Sequence, residues 1–184
     1  MKLALPIIAL ALLSSGPALA IDWTVDKEQS SLTFTATQSG SEFTGHFGAF
    51  DATITLDPAN LDGAGIKVSV DMTSVNTNAS DRDAQLPTAD WFDTAQFTTA
   101  IFESASVVHS GGNSYEASGS LSIKGAAKTV TLPFELTVNG NQASAVGSLN
   151  LDRLDYSIGS GNWANESMVG FPVTVNFSIE ASAN

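Results

Sequence analysis

The sequence predicts an all-β fold, an extended antiparallel β-barrel of about eight strands with one short helical insert. Three observations predict it. Apolar and polar residues alternate with a period of two along most of the chain. Clusters of Gly, Pro, Asn and Asp punctuate these runs at short intervals. One stretch, from Asn78 to Asp93, abandons the alternation. An antiparallel sheet of this size has to close or stack to hide its edges. A sandwich also fits the pattern, but the short turns of an up-and-down order and an insert able to cap an open end favour a barrel. About eight strands enclose room for one small ligand.

The elements follow in chain order. Lys2 begins a positive start, Leu3 to Leu13 is apolar, and Ala18-Leu19-Ala20 offers the small residues of a cleavage site. The run is shorter than the ~20 apolar residues of a membrane span. Residues 1–20 are therefore read as a secretory signal peptide and 21–184 as one domain, a free protein of the periplasm. Strand patterns follow at Leu32–Thr37, Ala52–Leu56, Lys67–Met72, Leu121–Ile123, Thr129–Val138 and Val173–Ile179. Asp57-Pro58-Ala59-Asn60 marks a turn, and Leu61 to Gly65 is read as the loop before the next strand. Gly111-Gly112-Asn113 and Asn139-Gly140-Asn141 read as hairpin tips. Within the insert, Ser80-Asp81-Arg82-Asp83 begins a helix that Pro87 ends, and a second short turn runs through Trp91 and Phe92.

Composition excludes several functions. Nineteen acidic against seven basic residues give a net charge of −12, the wrong sign for nucleic-acid binding or for a basic patch on an anionic membrane. There is no cysteine, hence no disulfide, thiol nucleophile or zinc–thiolate site. The two histidines, His46 and His109, stand apart, and Ser110 beside His109 would face the opposite side of a strand. No metal-ligand spacing or phosphate loop is present, so neither an enzyme nor a bound cofactor is expected.

The ten phenylalanines and three tryptophans are more informative. Phe43, Phe47 and Phe50 cluster, as do Trp91, Phe92 and Phe97, and Phe102, Phe134, Trp163, Phe171 and Phe177 are spread over later segments. They either pack a filled core or line an apolar tunnel.

Several motifs occur in a characteristic order. Trp23-Thr24-Val25-Asp26 and Ser30-Ser31-Leu32-Thr33-Phe34 open the series, then Gly45-His46-Phe47 with Phe50. Ser74-Val75-Asn76-Thr77 precedes Arg82-Asp83, Leu86, Asp90 and Phe92-Asp93, and Phe102-Glu103-Ser104 follows. Gly119-Ser120-Leu121-Ser122-Ile123-Lys124-Gly125 leads to Lys128-Thr129-Val130, then Arg153, Gly159 and Trp163. Together they resemble the YceI-like family of periplasmic polyisoprenoid-binding proteins over essentially the whole domain. Gln85, Thr98 and Ala52 depart from that family's common His, Pro and Gly. The resemblance implies a lipocalin-like barrel whose lumen sequesters a long isoprenoid lipid, a polyprenyl phosphate or an isoprenoid quinone, without catalysis. It also implies the company of a membrane b-type cytochrome or another quinone-dependent system, and a homodimer is among the assemblies expected. The alternative is a filled-core barrel acting as a stress-related interaction protein without a lipid.

On this reading the ligand-binding residues are Phe34, Phe47, Ile54, Met72, Leu86, Trp91, Phe92, Phe102, Leu121, Ile123, Phe134 and Trp163, with Arg82 and Arg153 at the mouth. Each arginine is expected either to pair with Asp83, Asp90 or Asp155, or to contact a ligand head group. The insert is expected to be a gate or a rigid plug.

Overall fold

The computed structural model describes residues 21–184. The expected signal peptide, residues 1–20, lies outside the described residues. Ten strands form: β1 (Asp22–Gln38), β2 (Ser41–Phe47), β3 (Phe50–Asp57), β4 (Asn60–Asp71), β5 (Val75–Asn76), β6 (Thr99–Gly111), β7 (Ser114–Ile123), β8 (Ala126–Asn139), β9 (Gln142–Asp152) and β10 (Pro172–Ala183). One helix, α1 (Ser80–Gln85), lies between β5 and β6.

Eight of the strands close a barrel, lipocalin-like and antiparallel throughout. From β10 the sheet runs through β9, β8, β7, β6, β4 and β3 to β1, and β1 pairs back onto β10. The order is not strictly up-and-down. β1 is 17 residues long and β3 only 8, so β3 covers β1 at Asp22 and Trp23 alone. The other end of β1, from Thr33 to Gln38, pairs with β2, which in turn pairs with β5. Along its other edge β1 pairs with β10 across a bulge between Asp26 and Ser31. The Asp26 carboxylate accepts from the Glu28 and Gln29 amides in that bulge, and Ser30 Oγ accepts from the Glu180 amide.

The turn at Pro58 is present, with the Asp57 carboxylate accepting from the Ala59 amide. Leu61 to Gly65, expected as a loop, is instead the start of β4. Strand pairing outweighs the glycines there, beside a register shift at Thr55 and Asp57. At the β7–β8 turn Lys124 and Gly125 have φ of 48° and 76°, the double left-handed geometry of a two-residue hairpin.

Two apolar clusters mark the ends. At one end Trp23, Leu56, Phe102, Val107, Tyr115, Phe134 and Ala181 pack together. There the Trp23 indole donates to the Leu56 carbonyl at 2.8 Å, and Tyr115 stacks on Phe134 with ring centroids 5.6 Å apart. At the other end Leu86, Trp91, Tyr156, Ile158 and Val169 join residues of the insert to the loop between β9 and β10.

Candidate functional site: an apolar lumen with one polar end

The period-two alternation turns every second side chain of each barrel strand inward. Leu32, Phe34 and Ala36 of β1, Ile66, Val68 and Val70 of β4, and Val173, Val175 and Phe177 of β10 meet around a cavity of about 720 Å³. The interior is hollow, so a filled core does not describe it. Most of these side chains are only half-buried, because they face the cavity rather than one another.

All fourteen residues singled out in the sequence line this cavity. Phe34, Phe47, Ile54, Phe102, Leu121, Ile123 and Phe134 reach it from strands. Met72 reaches it from a 3₁₀ turn after β4, and Arg82 from α1. Leu86, Trp91 and Phe92 follow α1, and Arg153 and Trp163 come from 3₁₀ turns after β9. The sequence reading missed the β9 contribution of Ala143, Ala145, Leu149 and Leu151, together with Tyr156, Ile158 and the β10 residues other than Phe177, which it left open between core and tunnel.

The polar lining residues Gln38, Thr77, Asp81, Arg82, Gln85, Arg153 and Tyr156 sit at the insert end. The far end offers Trp23, Leu56, Phe134, Ala143 and Ala181. The lumen is therefore amphipathic along its length. A row of rings spans the polar end, from Arg82 of α1 to Phe92 of the insert. The Arg82 guanidinium lies 4.2 Å from the Phe43 ring centre, Phe34 is 6.3 Å from Phe43 and 5.5 Å from Phe47, and Phe47 is 6.4 Å from Phe92. Gly45 makes room for it: a Cβ there would stand 2.3 Å from Phe34 Cζ.

Neither arginine makes the expected ion pair with Asp83, Asp90 or Asp155. Arg153, only 3% exposed, spends its guanidinium on backbone oxygens. Nε donates to Gly170 at 3.0 Å, Nη1 to Ile158 at 2.7 Å and Gly159 at 3.1 Å, and Nη2 to Trp163 at 2.6 Å and Val169 at 3.0 Å. Nη2 also donates to Asn165 at 3.4 Å, so five N–H bonds meet six carbonyls, and the β9–β10 loop is wrapped around one side chain. Burial holds its pKa below the ordinary arginine value, with the Asp152 charge acting the other way. The same loss of hydration raises the Tyr156 hydroxyl, helped by Asp155. Asp155 pairs with Lys128, and Asp90 accepts from Ser160.

Arg82 is a latch. It donates to Thr77 Oγ1 at 3.1 Å, to the Thr77 carbonyl at 3.3 Å and to Gln38 Oε1 at 3.1 Å, tying α1 to β1. Asp83 accepts from the Thr77 amide and hydroxyl at 2.8 and 2.6 Å, and the Thr77 hydroxyl foremost holds its carboxyl below the usual carboxylate range. Lys124 Nζ adds ties to the Ala89 and Ser157 carbonyls at 2.7 and 2.9 Å. His46 is on β2 and His109 on β6, where its Nε2 lies 2.8 Å from the Gly112 carbonyl, and the described residues contain no metal-holding cluster.

A YceI-like domain model matches residues 23–181, nearly all of the barrel. The chain belongs to the YceI-like family. Among its relatives, a UPF0312 protein of Vibrio cholerae is 31% identical over 169 residues, covering 86% of this chain and 89% of its own. A UPF0312 protein of Pseudomonas paraeruginosa is 33% identical over 157 residues, covering 80% and 82%. The crystal structure of Burkholderia cenocepacia BcnA superposes with a TM-score of 0.83 at 30% identity, covering 86% of this chain and all of BcnA. A polyisoprenoid-binding domain from Saccharophagus degradans shares the fold at a TM-score of 0.70 and 16% identity, covering 88% and 98%.

Proposed function

We propose that this YceI-like protein is a periplasmic carrier that sequesters a long isoprenoid lipid, a polyprenyl phosphate or an isoprenoid quinone, and performs no catalysis. The observation behind the proposal is the lumen itself, about 720 Å³ of apolar space with its polar side chains gathered at one end. An amphipathic ligand fits that polarity in one orientation, with its tail toward Trp23 and its head toward α1. The structural likeness to a polyisoprenoid-binding domain supports the same ligand class. Each buried methylene is worth ~0.8 kcal/mol, so a five-carbon unit contributes roughly 4 kcal/mol before ordering costs. A few units then outweigh those costs. The route in lies at the insert, where a six-residue helix is tied down by side chains and not by a strand ladder.

Purified protein, extracted with organic solvent and analysed by mass spectrometry, tests the proposal. A co-purifying prenyl lipid at near-stoichiometric amount is expected. Repeatedly empty protein that takes up neither added quinone nor prenyl phosphate overturns it.

A further inference from the structure

The barrel wall is incomplete where β1 runs beside β3. Their ladder holds Asp22 with Thr55 and Trp23 with Ile54, and β1 does not join β2 until Thr33. From Thr24 to Leu32 that edge of β1 has no strand beside it, and within this stretch β1 bulges between Asp26 and Ser31. Opposite the bulge, Gly48 and Ala49 interrupt the passage from β2 into β3. The β3 amides register the gap. Leu56 donates to the Ile21 carbonyl, so alternation turns the Ala52 and Phe50 amides to the same edge, where β1 offers no register partner. Asp51 and Thr53 turn theirs into the ladder with β4. Two spaces meet here. Phe50 lines the lumen beside Leu32 and Ala52, and it is the one described residue that also lines an outer cleft of about 510 Å³, beside Lys27, Asp51 and Ser69. The Lys27–Asp51 ion pair spans the gap on the outside, exposed on both partners. Such a pair resists opening weakly, and a ring can change rotamer without breaking a ladder. Parting any other two neighbouring strands of the barrel breaks a longer ladder.

We infer that the gap between β1 and β3 is a side window into the lumen, shuttered by Phe50 and strapped by Lys27–Asp51, through which a lipid leaving a bilayer passes sideways. This rests on the carrier reading above and adds a second way in to the one at the insert. The reason is the order in which the two ends of the ligand arrive. A lipid that threads past the insert has to lead with its tail, because its head comes to rest at α1. A lipid seated in a bilayer presents its head at the surface and keeps its tail inside. A window in the long wall removes that conflict, since the chain enters along its length and neither end has to lead. The insert then serves a ligand already free of the membrane, and the window serves one still held by it.

The test staples the window shut in the whole protein, which has no cysteine of its own. Lys27→Cys with Asp51→Cys is bridged by a short bismaleimide, and the same variant capped with N-ethylmaleimide is the open reference. Ser148→Cys with Asn176→Cys, bridged in the same way across the paired strands β9 and β10, is the control. Phosphatidylcholine vesicles carrying menaquinone-4 or geranylgeranyl phosphate are the donors, zwitterionic because the chain is strongly acidic. Lipid on the protein is measured by mass spectrometry after timed removal of the vesicles. The staple across the window is expected to slow uptake and release by about tenfold or more while final occupancy stays within about twofold, and the control staple to change neither. Unchanged rates in the window-stapled protein, or equal slowing by both staples, overturn the inference. Amide exchange of the unmodified protein is a second readout. The Phe50 and Ala52 amides are expected to exchange faster than those of Asp51 and Thr53, and four equally protected amides overturn the window. That pattern decides alone if the cysteine variants fail to fold. If the unmodified protein takes up neither lipid, the carrier reading itself falls.

Discussion

Arg153 Nη1 donates to the Gly159 carbonyl through the space a side chain at Gly159 would fill. A Cβ at 159 would stand 2.1 Å from Nη1, and the backbone there has φ of 78°. The glycine is required twice over, by the left-handed backbone and by the approaching guanidinium.

The first prediction follows from that pair. Arg153→Met removes the donor to six backbone carbonyls, those of Ile158, Gly159 and Val169 in buried bonds, and is expected to destabilise by about 3–5 kcal/mol. At this chain length that lowers Tm by roughly 10 °C. Arg153→Lys recovers little, since an ammonium has three N–H bonds and no planar fork. Gly159→Ala is expected to lower Tm as well, without any change of charge. Thermal melts of the three variants check this, and a Tm for Arg153→Met within two degrees of wild type would refute it.

The second prediction concerns the lumen. Ile123 faces the cavity from the end of β7, close to the polar mouth. Ile123→Trp is expected to fill the passage and weaken binding of a prenyl lipid by more than about tenfold. Far-ultraviolet circular dichroism should show the barrel intact. Unchanged affinity in the folded variant would place the lipid elsewhere.

The third concerns the latch. Arg82→Met removes the bonds to Thr77 and Gln38 that join α1 to β1. Each is worth about 1 kcal/mol, so a Tm loss of a few degrees is expected. The sharper readout is amide exchange. Residues of α1 should exchange faster in the variant while β7 and β8 stay protected, and added lipid should restore part of the protection. Exchange in α1 as slow as in the strands, with and without lipid, would make the insert a plug.

The fourth is a pH dependence. Hydrogen bonds from Thr77 hold the Asp83 carboxyl below its ordinary value of 3.8. A carboxylate with a depressed folded-state pKa adds stability above its unfolded pKa, and loses it as pH falls through the folded one. Protection of α1 is therefore expected to hold at neutral pH and to fall below about pH 4. Asp83→Asn should remove that acid step. An identical acid profile in the variant would assign the step to another group.

Barrel class was legible because each barrel strand has one face on the lumen, so Thr33, Thr35 and Thr37 interleave with Leu32, Phe34 and Ala36. β9 was illegible for the opposite reason. Its inward positions include Ala143, Ala145 and Gly147, small residues that alternate with Ser144 and an outward-facing Val146, so the hydropathic contrast is lost. The partners of Arg153 were out of reach too. Backbone carbonyls accept the same way whatever side chain they carry, so no residue type advertises them. The strand order missed a similar detail: only the pairing shows that β2 and β3 share one edge of β1.

The seam of the barrel joins the first strand to the last. Trp23 pairs with Ala183 and Phe34 with Val175, contacts between segments about as far apart in sequence as this domain allows. Every other wall is a hairpin or a near neighbour and can form as the chain is made. The lumen does not exist until β10 arrives. Without β10 the sheet would have two raw edges and an uncovered apolar face. Closure of this loop is entropically the slowest kind of pairing. A lipid present at that moment would touch β1 and β10 together and bind only the closed state. The cargo of such a protein would then act as a folding template for the container that holds it.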